Sequence, residues 1–420
     1  MQKERENFNI REHCHVNTNN EGDRFVGVKA DANRIAVYFP IGYELSNSNE
    51  ELRSDIKNLL RVLATFTQKT DRVLERGKTD SHQSVEFPIQ AYLNIINYYL
   101  DNNGSYYTES ETTYKLNNLG NTNWSKTIKT QKPYIQEDSV IYLKQVVRES
   151  TSDLNQLITG INRYCVYESF ERIGWLYTTN RPENPNIKFD KNRFLATLNS
   201  KLVNTNNDND KLLFRSMIAM IEYVDNRTSE KQFYFGTDKF EIVWEKLIEK
   251  YFGEKNKSDY FPRGLWIEKK YGSKIGRKVS ALEPDSIMIF QNKFYVLDAK
   301  YYRYGVFPEY GIGSLPQSSD INKQITYGKF VKNERANGNP TFNAFIMPFN
   351  KNDNKFSISD NYGNVAEATG DWLDDPNNPQ FYERIQTIVI DTRYLLTHYD
   401  GSHDFDKNLL SYEIENGLKL

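Results

Sequence analysis

Only two cysteines, Cys14 and Cys165, occur in the 420 residues, too few for a disulfide framework and suited to a reducing compartment. No run of about 18 apolar residues is present, so a membrane span is not expected. The opening Met-Gln-Lys-Glu-Arg-Glu lacks the apolar stretch of a secretory leader, which makes the cytoplasm the expected location. A Gly-x-x-x-x-Gly-Lys-Ser/Thr loop is missing as well, so the chain is not expected to hydrolyse a nucleoside triphosphate itself. Charge of one sign is also lacking: 54 basic and 56 acidic side chains leave a net charge of -2. Any anionic partner must therefore be met by local patches rather than by a global field. No internal repeat is visible.

What is present suffices for a large core. Apolar residues make up 38% and aromatics 14%, with 29 Tyr and 24 Phe, so the low mean hydropathy reflects many Asn, Lys and Asp rather than disorder. The length favours two domains. Residues 24–29 and 34–39 alternate like strands, and helical spacing follows over 49–67 and 87–100. Residues 101–139 read as loops and short strands, and residues 139–178 as helical. Two prolines in Arg181-Pro-Glu-Asn-Pro-Asn186 suggest a linker. The expected division is therefore an N-terminal α+β domain, residues 1–185, and a second domain, residues 186–420. Beyond the linker the pattern gives helices at 190–203, 209–225 and 237–252, apolar strands at 264–268 and within 286–300, a helix at 319–336 and a strand at 342–349. The fold class is mixed α/β, with helix, three strands, helix and strand in the second half.

One constellation carries chemistry. Pro284-Asp285-Ser-Ile-Met-Ile-Phe290, the pair Gln291-Asn292 and Lys293-Phe-Tyr-Val-Leu-Asp298-Ala-Lys300 fold naturally as a hairpin about a two-residue loop. Its register sets Asp285 opposite Asp298 on one face, with Lys300 on that same face. Two carboxylates so close at the end of an apolar hairpin repel and are costly to desolvate unless a cation sits between them. Mg²⁺ suits that place because it takes one or two carboxylates and keeps several waters. The adjacent lysine can stabilise the phosphate or help deprotonate the water, which is chemistry for phosphodiester hydrolysis. Charged strand ends facing solvent are the competing reading.

Neighbouring segments add candidates. Glu241 and Glu245 share a helix face. Glu245 is the preferred further ligand or water-orienting group and Glu241 the alternative, against a merely solvated face. Gln324 and Tyr327, one turn apart, are candidates to meet a substrate backbone, against a capped surface helix. Lys270, Lys274, Arg277 and Lys278 belong to a ten-residue stretch, 269–278, with five basic and no acidic residues. Phosphate contact is its natural use, against a solvated hairpin tip. His13-Cys14-His15 looks like a metal motif, but adjacent side chains point apart and no second cluster completes a site, so chance is the better reading.

These residues resemble the LlaJI-type restriction endonucleases, relatives of the McrC nuclease subunit in the PD-(D/E)XK superfamily. The resemblance rests on Phe39-Pro-Ile-Gly-Tyr43, Gly120 to Ile128 with its Trp124 and Thr127-Ile128, Val243-Trp-Glu245, Pro284-Asp285, Leu297-Asp-Ala-Lys-Tyr301 and Asp320-Ile-Asn-Lys-Gln324. It implies a PD-(D/E)XK nuclease core in residues 186–420, with residues 1–185 recognising DNA or docking a partner. It also implies Mg²⁺-dependent cleavage of double-stranded DNA at a short asymmetric site, in a restriction-modification system whose methyltransferase protects the host. The metal-binding roles fall on Asp285 and Asp298, the catalytic lysine on Lys300 and the helix glutamate on Glu245. McrC-type relatives work beside a GTP-hydrolysing, McrB-like ring, so a subunit activated by such a partner is the second reading. A non-catalytic DNA-binding or assembly module on an inactive nuclease fold is the third. Double-strand cleavage also makes a homodimer reasonable.

Overall fold

The computed structural model describes residues 9–30, 35–66, 88–117, 119–136, 139–152, 156–178, 181–225, 233–268, 275–401 and 403–419. The chain forms two compact units, one made of Met1–Ser84 with Glu230–Leu420 and the other of Val85–Ser229. The expected cut near residue 185 thus falls inside the second unit, and the N-terminal strands belong with the C-terminal half. Pairing between strands about 200 residues apart produces this discontinuity, which local linker composition does not encode.

The first unit opens with β1 (Cys14–Val16), β2 (Val26–Ala30), β3 (Ile35–Phe39) and α1 (Asn49–Phe66). The second unit follows: α2 (Ile89–Asp101), β4 (Ser110–Asn117), β5 (Asn121–Thr122), α3 (Trp124–Thr130), β6 (Tyr134–Gln136), β7 (Ser139–Ile141), β8 (Gln145–Ser152), α4 (Leu157–Ile173), α5 (Lys191–Asn204) and α6 (Asp208–Asp225). The first unit resumes with β9 (Phe233–Thr237), α7 (Phe240–Phe252), β10 (Arg263–Glu268), β11 (Ile275–Ala281), β12 (Ser286–Phe290) and β13 (Lys293–Ala299). It ends with α8 (Ser318–Glu334), β14 (Thr341–Phe349), β15 (Tyr362–Ala368), β16 (Ile385–Asp391), α9 (Thr392–His398) and α10 (Asp404–Gly417). The mixed α/β class is as expected.

In the second unit α2 and α4 to α6 supply the apolar packing, through residues such as Tyr92, Ile161, Phe194 and Met217. The expectation of helix over 139–178 holds only from Leu157. Residues before it form β7 and β8, and β8 pairs with β4 from Ser110↔Ser152 to Asn117↔Gln145. Leu143, Val146 and Val147 fit a helical spacing on paper, but long-range pairing overrides it.

The first unit is built on a five-stranded sheet of order β12-β13-β14-β16-β15. Strands β13, β14 and β16 run parallel, while β12 and β15 are antiparallel edges. All nine residues of β14 are buried, as a parallel strand covered on both faces requires. Helix α8 links β13 to β14 and lies so close to β14 that a Cβ on Gly328 would come within 2.5 Å of the Asn343 amide. A second sheet of order β1-β3-β2-β9 ties the N-terminal strands to the chain just before α7.

Two details differ from the sequence expectation. Residues 264–268 do not join the main sheet; they lie in β10, which among the described residues pairs only with β11 as a separate ribbon. The sheet is instead completed by β15 and β16, from the segment after residue 350 that carried no expectation. Among the described residues no helix is long and apolar enough to cross a membrane.

Candidate active site

Strands β12 and β13 are joined by Gln291 and Asn292, both with positive φ (49° and 61°), the backbone of a type I′ turn whose twist matches its strands. The register runs from Phe290↔Lys293 to Ser286↔Leu297, so the next pair outward is Asp285 and Asp298. On this face Ile287, Phe294 and Val296 pack against Tyr327 and Val331 of α8. The apolar stripe ends where the two carboxylates begin, at the carboxyl end of β13, where open α/β sheets bind their ligands.

The site is held by short polar contacts. Asp285 Oδ2 accepts a hydrogen bond from the Ala299 N–H at 2.8 Å. The Lys300 amine lies 2.8 Å from Asp298 Oδ2 and 3.0 Å from Asp320 Oδ1 on α8. Desolvation, together with the charges of Asp298 and Glu245, pushes the Asp285 carboxyl up to about 7, with the Ala299 N–H opposing. Burial alone would lower the Lys300 amine, but Asp298 and Asp320 outweigh it and hold the ammonium above its ordinary value. Glu245 on α7 is raised by desolvation and by the Asp298 charge, with Lys300 opposing. Glu245 therefore shares the electrostatic environment of the strand carboxylates. Glu241, one turn earlier, is exposed.

The supporting shell is aromatic. Trp244 Nε1 donates to the Ile346 carbonyl at 3.2 Å, and the Lys300 N–H donates to the same oxygen at 2.8 Å. Tyr301 is buried against Phe240 and Trp244, with ring centroids 5.3 and 6.1 Å apart, and its phenolic oxygen accepts the Ile41 N–H at 2.8 Å. The turn Phe39-Pro-Ile-Gly-Tyr43 thereby docks onto the residue next to Lys300. Gly42 makes this possible: it has φ +72°, and a Cβ there would meet Thr392 Oγ1 at 2.9 Å and the Phe349 carbonyl carbon at 3.0 Å. Lys257 donates to the Asp285 carbonyl at 2.9 Å and is itself paired with Glu249.

The sequence profile of the LlaJI restriction endonuclease family matches residues 25–366. The chain belongs to the LlaJI restriction endonuclease family. A curated relative is the type II restriction enzyme BsuMI component YdjA of Bacillus subtilis (strain 168), 26% identical over 271 residues, which are 60% of this chain and 57% of that protein. The chain thus spans less than two thirds of that relative's length. Among solved structures, the half-complex from a tetradecameric assembly of Thermococcus gammatolerans McrB AAA+ hexamers with bound McrC is similar over 93% of this chain and 83% of that chain, at 14% identity and a TM-score of 0.39. The family resemblance read from the Phe39–Tyr43, Val243–Glu245, Leu297–Tyr301 and Asp320–Gln324 segments is borne out.

In this LlaJI-family chain Asp285, Asp298, Lys300 and Glu245 come together, but the expectation that Gln324 and Tyr327 meet a substrate backbone is not met. Gln324 is 1% exposed and its Nε2 donates to the Val296 carbonyl at 2.8 Å. Tyr327 is equally buried, and its hydroxyl donates to the Glu283 carbonyl at 3.3 Å. Both pin α8 to the hairpin because they sit on its inward face. Lys270 and Lys274 lie outside the described residues, and Arg277 and Lys278 lie on β11, paired with Trp266 and Leu265. Sequence reasoning missed Asp320 and Lys323. Asp320 binds Lys300, and Lys323, one turn on, is exposed, 5.7 Å from the Tyr327 ring centroid and within range of the Asp298 charge. Acid and base three apart at the head of α8 were the available signal.

The donor set can be tested against the expected cation. Among the described residues no three His, Cys, Asp or Glu side chains are gathered closely enough to ring an ion. What the site offers is two strand carboxylates, with Glu245 at electrostatic range. That fits a hard ion such as Mg²⁺, which takes few protein ligands and keeps its waters, and does not fit a four-ligand structural zinc cage.

Proposed function

We propose that this chain is a Mg²⁺-dependent endonuclease with a PD-(D/E)XK core, hydrolysing phosphodiester bonds of double-stranded DNA at a short specific site. The observation that carries the reading is the opposed pair Asp285 and Asp298 at the end of an apolar hairpin, with the Lys300 amine 2.8 Å from Asp298. A carboxyl held at about 7 is a group that gains from a cation beside it. In this reading Asp285 and Asp298 hold the ion, Lys300 presents its ammonium to a phosphate oxygen, and Glu245 orients the attacking water. When bound, Mg²⁺ supplies Lewis-acid polarisation of the phosphate and a more acidic water. The basic stretch of residues 269–278, with Lys270, Lys274, Arg277 and Lys278, meets the DNA backbone. The second unit is left for sequence recognition or partner docking. A methyltransferase of the same restriction system protects host DNA, two copies of the chain make the double-strand cut, and the setting is the cytoplasm.

The test is incubation of the purified chain with unmethylated plasmid and Mg²⁺. Discrete fragments, lost in Asp298→Ala and Lys300→Ala variants that still bind DNA, are expected. Cutting that survives the double substitution would place the chemistry elsewhere. The description of the Bacillus subtilis relative as a component of a restriction enzyme favours a second reading, a nuclease subunit switched on by a GTP-hydrolysing, McrB-like partner. That reading gains if fragments form only after such a GTPase and GTP are added.

A further inference from the structure

The β10–β11 ribbon is anomalous for its composition. Among the described residues its two strands pair only with each other, yet Leu265, Trp266 and Ile267 in the middle of β10 are 56%, 75% and 50% exposed. Successive strand residues face opposite ways, so both faces of the ribbon present an apolar side chain to water. An isolated two-stranded hairpin is marginal in water. A run of three large apolar residues left bare on one is a surface that gains by being covered.

Three observations say what covers it. The segment joining and continuing the two strands, residues 269–278, holds five basic and no acidic residues. Two copies of this ribbon would repel each other there, whereas a polyanion is complementary. The ribbon's base is closed by the Leu282 N–H, which donates to the Pro262 carbonyl at 2.9 Å, and β11 ends four residues before Asp285. Whatever the ribbon grips is therefore held beside the strand carboxylates. Finally, a strand of six or seven residues is about 20 Å long, and the major groove of DNA, about 12 Å wide, admits a two-stranded ribbon.

We infer that the β10–β11 ribbon enters a groove of duplex DNA, with Leu265, Trp266 and Ile267 against base and sugar surfaces. Apolar side chains contact thymine methyl groups in the major groove or wedge between base steps in the minor groove. The ribbon then positions the duplex for the cut, and Trp266 is a binding residue rather than a catalytic one. This inference rests on the nuclease reading given above.

The experiment measures binding of the full-length Asp298→Ala chain to a fluorescein-labelled 30-base-pair duplex by anisotropy, with and without Trp266→Ala and with the triple change at Leu265, Trp266 and Ile267. Because these side chains are exposed, folding is retained, and thermal melting verifies it. Trp266→Ala weakens binding by about fivefold or more, and the triple change by more still. In the chain with native Asp298, Trp266→Ala raises the DNA concentration needed for half-maximal cutting. Unchanged affinity in the triple variant overturns the inference, as does a loss of self-association on a sizing column, which would make the ribbon an interface between copies. Absence of duplex binding by the parent overturns it too. The nuclease reading is judged separately, by whether plasmid cutting depends on Asp298 and Lys300.

Discussion

Lys300, directly after β13, and Asp320 of α8 are joined by a 3.0 Å contact between the amine and Oδ1, so the lysine beside the strand carboxylates is steadied from a second element. Asp320 should therefore act through Lys300. Replacing it by Ala is expected to lower kcat about 10- to 100-fold, the range for partners that orient a site's ligands, while KM for DNA changes little. An unchanged kcat would mean that Asp298 alone aims the amine.

Glu245 and Glu241 are one turn apart but differ in surroundings. Glu241 is exposed, whereas Glu245 is half-buried and its carboxyl is raised by desolvation and by the Asp298 charge. Glu245→Gln is expected to cut DNA at least about tenfold more slowly, and Glu241→Gln to behave like the parent. Single-turnover cleavage of a defined fragment distinguishes them, and equal losses would count against Glu245 as the water-orienting group.

Mg²⁺ should stabilise the fold without any DNA. At pH 8, above the value of about 7 to which Asp285 is pushed, the Asp285 carboxyl is ionised and open to a cation. An ion at ten times its Kd adds about 1.4 kcal/mol, a rise of about 2 degrees in Tm for a chain of this size. The shift is expected to vanish in Asp298→Ala, and a shift of equal size in that variant would mean the ion binds elsewhere.

A separate polar hub sets stability. The buried Asp406 carboxylate accepts hydrogen bonds from Tyr251, Tyr362 and Tyr394 at 3.1, 2.9 and 2.8 Å, joining α7, β15, α9 and α10. Asp406→Ala leaves three hydroxyls without their acceptor and should cost about 3 kcal/mol. In urea this appears as a lower midpoint with an unchanged slope. A loss below about 1 kcal/mol would show that water replaces the carboxylate at little cost.

The parts of the fold legible in the sequence were those fixed by neighbours in the chain. The two-residue turn at Gln291 and Asn292 dictates the pairing of Phe290 with Lys293 and hence of Asp285 with Asp298. Partners set by tertiary crossing were not legible. Asp320 is twenty residues from Lys300, and only the path of α8 across the sheet brings them together. The same path turns Gln324 and Tyr327 inward, because helical spacing reports which residues share a face and not which way that face looks. Residues 264–268 read as a buried strand because an apolar run does not reveal whether a neighbour will cover it. Residues 145–152 read as helix because their distant partner, β4, is invisible to a local pattern.

The split first unit has a consequence for synthesis. Strand β2 is made early, but β9, which pairs along its outer edge, begins about 200 residues later at Phe233, about 10 to 40 s at ordinary translation rates. The Ile41 turn must wait longer still for Tyr301. A ribosome that stops before β9 releases a fragment with neither a closed N-terminal sheet nor opposed carboxylates. Half-made copies thus lack the paired strand carboxylates by chain order alone.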